Sequence, residues 1–88
     1  MKFVADVDIP FLRGVLEPYG EVVYKKGLEI CREDIIDADA LLIRTRTRCD
    51  ADLLEGTQVT LITTATIGMD HIDLEYCRTH GIEVANAS

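Results

Sequence analysis

Four consecutive apolar residues, Ala40-Leu41-Leu42-Ile43, constrain the fold more than any other feature of this chain. A strand with one wet face alternates apolar and polar residues. A strand that is apolar at every position is covered on both faces, as in a parallel sheet. Parallel neighbours require crossover connections, so the flanking sequence should alternate between strand and helix. It does. Lys2–Val7, Glu21–Tyr24, Val59–Thr64 and Ile82–Ala85 are apolar or β-branched runs. Between the first two, Phe11, Leu12, Val15, Leu16 and Tyr19 share one helical face. Asp8 is placed to cap that helix, Pro10 suits its first turn and Gly20 its end, while Gly14 and Pro18 weaken the pattern. Arg32–Asp37 presents Ile35 and Ile36 as a short helical segment. Asp50 caps a helix that Gly56 stops, and Asp73 caps one through Leu74, Tyr76 and Cys77 that Gly81 ends.

The resulting β-α-β-α-β-α-β-α-β order predicts an α/β, three-layer, flavodoxin-like domain. Its five-stranded parallel sheet should have the order 2-1-3-4-5 and right-handed crossovers. A helix after the fifth strand would complete the covering layers, and it is expected to be missing from residues 1–88. The 88 residues suffice for one domain and not for two. No apolar run approaches the ~20 residues that span a bilayer. Met1-Lys2-Phe3-Val4-Ala5-Asp6 meets an acid too early for a signal peptide, so a soluble, cytoplasmic protein is expected. Cys31, Cys49 and Cys77 are widely spaced and form no CxxC, which suits reduced, structural thiols better than disulfides or a zinc site.

A net charge of −7 argues against a nucleic-acid binder. The charge is nevertheless uneven: Arg44, Arg46 and Arg48 cluster just after the third strand, in a stretch with no acid between Asp39 and Asp50. Ligands of open parallel sheets bind beyond the carboxyl ends of the strands. At that edge Arg offers a fork matched to carboxylate or phosphate, and Thr45 and Thr47 add hydroxyls. In an extended stretch the three Arg would share one side and the two Thr the other; the bland alternative is a solvated turn. A second segment, Thr64-Ala65-Thr66-Ile67-Gly68-Met69-Asp70-His71-Ile72-Asp73, follows the fourth strand. Gly68 would admit close approach of a ligand, and free amides ahead of the next helix could cradle an anion. If the third and fourth strands are neighbours, both segments meet at one rim and form a pocket for a small anion.

The remaining polar residues read as structural. His71 is expected to bond a capping carboxylate, and His80 to favour the carboxyl end of its helix. Asp8 reads as a cap and Asp6 as solvated. No metal-ligand spacing, Walker loop, GxSxG or GxGxxG is present, so the chain itself offers no metal or dinucleotide site.

Thr64–Asp73 resembles the TATxGxDHxD segment of the erythronate-4-phosphate dehydrogenase family, a branch of the D-isomer-specific 2-hydroxyacid dehydrogenases. Arg44-Thr45-Arg46-Thr47 is similar to that family's R[ST]xT segment, and Lys2–Pro10 and Asp37–Ala40 also fit. Met69 and Thr63 depart from residues common among relatives. The resemblance implies that residues 1–88 are the front part of a split substrate domain, with the nucleotide-binding domain outside this chain. It implies NAD-dependent oxidation of 4-phospho-D-erythronate in pyridoxine synthesis by a homodimer. Thr45 and Thr66 would stand at substrate-contacting positions with Arg44 as an anion contact, and no catalytic residue would lie in this chain. Two alternatives stay open: another 2-hydroxy acid, such as phosphoglycerate or glycerate, or a free-standing flavodoxin-like binding or regulatory module.

Overall fold

Five parallel strands form one sheet: β1 (Lys2–Asp6), β2 (Glu21–Lys25), β3 (Ala40–Ile43), β4 (Leu61–Thr64) and β5 (Glu83–Asn86). Their order is β2-β1-β3-β4-β5, as the alternation predicted. The computed structural model describes residues 1–86; Ala87 and Ser88 lie outside the described residues. Register runs straight across the sheet. Val4, Leu41, Ile62 and Val84 are aligned side by side, and so are Ala5, Leu42, Thr63 and Ala85. Because side chains alternate along a strand, the first row faces one side of the sheet and the second row the other.

The first face carries the core. Val4, Leu41, Ile43 and Ile62 meet Ile35 of α1 (Arg32–Ile35), Leu53 and Leu54 of α2 (Ala51–Leu54) and Cys77 of α3 (Leu74–Thr79). All three helices lie here for a topological reason. The steps β2 to β3, β3 to β4 and β4 to β5 run in one direction across the sheet, and right-handed crossovers in one direction share a face. Two of these helices, α2 and α3, begin where an aspartate side chain occupies one of the free amides. Asp50 accepts from the Leu53 amide at 3.2 Å and Asp73 from the Tyr76 amide at 3.0 Å. Gly56 and Gly81 follow α2 and α3 with φ of +79° and +71°, the left-handed conformation that ends a helix at little cost in glycine.

The step from β1 to β2 runs the other way, and its connection lies on the second face. There Arg13 sits over the Tyr24 ring, 4.1 Å from its centroid, and Tyr24 donates to Glu17 at 2.8 Å. The helix expected over this connection is absent. Residues 7–20 are turns followed by a single 3-10 turn at Glu17–Tyr19. Phe11 has φ +62° and is 96% exposed, and Val15 and Tyr19 are exposed as well. The periodic apolar face loses because Pro18 and Gly14 break the helix from within, and a short helix without tertiary burial is unstable. Coverage of the second face is therefore partial. Phe3, Ala5 and Ala40 are buried, whereas Leu42, Leu61, Thr63 and Ala85 keep intermediate exposure.

Candidate functional site at the carboxyl ends of the strands

The carboxyl ends of β1 and β3 deliver two connections to one rim. These neighbouring strands continue to opposite sides of the sheet, which makes this the topological switch point of the order 2-1-3-4-5. A cavity of about 200 Å³ opens there, lined by Asp6, Asp8, Arg44, Thr45 and Arg46. A second, of about 320 Å³, adjoins it across Asp8 and Arg46 and is lined further by Lys26, Gly27, Leu28 and Glu29.

The walls of these cavities are pinned. Arg44 donates to the Asp8 carbonyl at 3.3 Å, tying the loop after β3 to the loop after β1. The Thr47 hydroxyl, 2% exposed, donates to the Gly27 carbonyl at 2.9 Å. Asp6 is not solvated, as its place near a strand end suggested. It is 2% exposed, and its carboxylate accepts from the Asp8 amide at 2.9 Å. Asp8 caps no helix, since none follows it; it lines both cavities instead.

Residues 44–48 are not extended. Thr45 and Arg46 form a turn, so the expected alternation fails: Arg44, Thr45 and Arg46 all reach the cavity and Thr47 turns inward. Arg48 leaves the group and pairs with Asp50 at 3.4 Å on the surface. The cavity thus combines two guanidinium groups and a hydroxyl with two carboxylates, a mixed surface suited to a small ligand bearing both anionic and hydroxyl groups.

The segment after β4 runs beside this loop, as expected from the adjacency of β3 and β4. Ala65 donates to the Ile43 carbonyl at 2.8 Å, Cys49 to the His71 carbonyl at 2.8 Å and Asp73 to the Cys49 carbonyl at 2.8 Å. The arginine-threonine stretch and the glycine-bearing turn therefore share one rim. The amides expected to cradle an anion are in part already bonded, those of Ala65, Ile72 and Asp73 to protein carbonyls. Gly68 stays open: a Cβ built there would meet nothing within 4 Å. Thr66 lies in this segment, partly exposed, and is not among the residues lining either cavity.

His71 does not bond a carboxylate. Its Nε2 lies 3.0 Å from Oγ1 of Thr64, a residue buried at 0% exposure, and Thr64 Oγ1 lies 2.7 Å from Thr66 Oγ1. Desolvation holds the His71 imidazole below the ordinary histidine value, against the pull of Asp70. His80 plays the structural part assigned to it, with Nδ1 2.8 Å from the Tyr76 carbonyl and its ring stacked on Tyr76. The three cysteines form no disulfide. Cys49 and Cys77 are buried, and burial, then neighbouring Cys77 and Asp50, pushes the Cys49 thiol up to about 12. Among the described residues no cluster of His, Cys, Asp or Glu could hold a metal ion. No helix among them is long and apolar enough to cross a membrane.

Residues 2–88 match the family model described as D-isomer specific 2-hydroxyacid dehydrogenase, catalytic domain. The erythronate-4-phosphate dehydrogenase of Bacteroides thetaiotaomicron is 52% identical over 88 residues, 99% of this chain and 25% of that protein. The Porphyromonas gingivalis enzyme of the same name is 46% identical over 82 residues, 93% of this chain and 22% of that protein. The chain thus spans about a quarter of the length of these curated relatives. Among solved structures, the D-lactate dehydrogenase of Aquifex aeolicus, complexed with NAD and lactic acid, superimposes with a TM-score of 0.82 at 25% identity, covering 99% of this chain and 28% of that one. The NAD+-bound 3-phosphoglycerate dehydrogenase of Entamoeba histolytica gives 0.77 at 31% identity, covering 98% of this chain and 32% of that one.

Proposed function

The chain belongs to the D-isomer specific 2-hydroxyacid dehydrogenase family, and from that premise we propose that it is the N-terminal part of the substrate-binding domain of an erythronate-4-phosphate dehydrogenase. The enzyme would oxidise the 2-hydroxyl of 4-phospho-D-erythronate to a 2-oxo acid with NAD as hydride acceptor. The carrying observation is the cavity at the β1/β3 switch point, where Arg44, Thr45 and Arg46 line one wall. That chemistry suits a hydroxy acid, and 52% identity across 99% of the chain favours the phosphorylated four-carbon acid over others. A second reading within the family, phosphoglycerate or glycerate as substrate, rests on the likeness to the 3-phosphoglycerate dehydrogenase at 31% identity.

Arg44 would bind the acid as a charge-assisted donor, already steered by its bond to the Asp8 carbonyl. Thr45 would fix the orientation of the acid from the adjacent turn, and Thr66 would contact it from the loop after β4. NAD does not fit the residues of this chain. The sequence has no glycine-rich fingerprint. The cavity lined by Arg44 and Thr45, about 200 Å³, lies below the ~300–1,000 Å³ of sites for drug-sized ligands, and the adjoining one, about 320 Å³, only reaches the bottom of that range. The nucleotide-binding domain is therefore assigned to a part of the enzyme other than residues 1–88. With this function go pyridoxine synthesis, a cytoplasmic location and a homodimeric assembly, the last in keeping with the half-covered second face of the sheet.

Calorimetric titration of the full-length enzyme with 4-phospho-D-erythronate tests the assignment. Removing a hydrogen bond to a charged group costs ~1.5–3 kcal/mol, so Arg44→Ala should weaken binding by about 10–100-fold. Thr45→Ala should weaken it less. Unchanged affinity in Arg44→Ala would remove the pocket from consideration, and tighter binding of 3-phosphoglycerate than of 4-phospho-D-erythronate would favour the second reading.

A further inference from the structure

The end of β4 and the loop after it carry three side chains joined in one line. Three contacts define it: His71 Nε2 to Thr64 Oγ1 at 3.0 Å, Thr64 Oγ1 to Thr66 Oγ1 at 2.7 Å, and Thr66 Oγ1 to the Gly68 carbonyl at 3.1 Å. Proton counting gives the line a direction. A carbonyl can only accept, so the single hydroxyl proton of Thr66 points to Gly68. Thr66 then accepts at its other contact, which makes Thr64 the donor there. Thr64 has used its one proton and must accept from His71, whose Nε2 therefore carries hydrogen. The opposite sense would leave the Gly68 contact without a proton.

We propose that His71 is a positioning residue for Thr66, acting through Thr64 to aim the Thr66 hydroxyl proton at the ligand. This rests on Thr66 being a substrate contact, as set out above. Thr64 occupies one lone pair of Thr66, so the Thr66 proton is directed away from Thr64. In the free protein that proton meets the Gly68 carbonyl. An arriving carboxylate or phosphate is a stronger acceptor than a carbonyl and takes it over. Successive donation from His71 and Thr64 polarises the Thr66 O–H and strengthens it as a donor. Thr64 can transmit this because it is fully buried, with no water to compete for its hydroxyl. The direction survives protonation of His71, since both the neutral Nε2–H tautomer and imidazolium donate at Nε2.

Two measurements on the full chain decide it. The first is the tautomer of His71, read by NMR with 15N-labelled histidine at a pH where the ring is neutral and assigned with His71→Gln. Nε2–H is expected in the parent protein. Thr64→Val, which keeps the side-chain shape but removes the acceptor, should release the ring to a mixture. The Nδ1–H form in the parent would overturn the relay, whatever the ligand. The second is affinity for 4-phospho-D-erythronate. Thr64→Val and His71→Ala should each weaken binding by about 3–10-fold, whereas Thr64→Ser and His71→Gln, which retain a hydroxyl and an N–H at the same reach, should restore most of it. Should Thr64→Val fail to fold, the partly exposed His71 pair carries the comparison. Equal affinities across the set, with the tautomer as expected, would refute positioning. A parent protein that binds none of the acid would instead refute the function on which the ligand half of the proposal stands.

Discussion

Gly27 is a glycine for want of room. A Cβ there would lie 2.6 Å from Asp6 Oδ2, 3.1 Å from Arg46 Cβ and 3.2 Å from Thr47 Oγ1. The position is where the turn after β2 closes against the end of β1 and the loop after β3, so the glycine, which lines the second cavity, also packs against Asp6 and Arg46 of the first. Gly27→Ala should destabilise the fold by about 1–3 kcal/mol through overpacking, read by urea denaturation, and should also weaken acid binding by displacing Arg46. A variant as stable as the parent would mean that the wall yields freely. Nothing in Lys25-Lys26-Gly27 distinguishes this glycine from an ordinary turn glycine, because its constraint comes from residues about twenty positions away in either direction. The same holds for Asp6 and Thr47. Polarity suggested solvent for Asp6 and a ligand for Thr47; packing between loops buries both, with Asp6 still lining the first cavity. That Arg44 and Thr45 stand at the cavity on the strand-end rim was legible, because charge pattern and strand-end position are both local properties.

At the scale of elements, capping separates what local sequence controls from what it does not. Asp50 and Asp73 precede α2 and α3 and bond the amides their positions predicted. Asp73→Ala should cost ~1 kcal/mol, measured as a lower urea midpoint with unchanged slope. Asp8 stands in an equally promising place before the Phe11–Tyr19 pattern, yet no α-helix forms there. Asp8→Ala should accordingly shift stability by no more than ~0.5 kcal/mol, the range of surface substitutions that touch no special feature. A loss as large as that of Asp73→Ala would show that residues 8–20 form a capped helix in solution. Hydrophobic periodicity overstated this segment because a helix is stabilised by the surface it buries. Here Phe11, Val15 and Tyr19 remain exposed.

For the whole molecule, the arrangement of crossovers explains both the placement of the core and the location of the site. Three connections in one direction put every α-helix of the described residues on one face. The single reversed connection leaves the second face half-covered and opens the switch-point cavity beside it. In the proposed function this chain binds the small acid, and the dinucleotide is bound elsewhere in the enzyme. Mixed with NAD and 4-phospho-D-erythronate, the pure 88-residue chain should give no increase in NADH absorbance. Sustained reduction would show a nucleotide site made from residues 1–88.

Sequence by itself determined the strand succession, with which the order 2-1-3-4-5, a common doubly-wound arrangement, agrees. The all-apolar run at Ala40–Ile43, the regular spacing of strands and the caps at Asp50 and Asp73 are short-range patterns set by backbone geometry. The family likeness was legible for the same reason, as contiguous segments. Tertiary structure alone decided that Arg48 turns away while Arg46 stays, that Asp6 is buried, and that His71 reaches Thr64 instead of a carboxylate. Those outcomes depend on loops from different strands meeting at one rim, where the partner of each polar group is whatever the fold brings within about 3 Å.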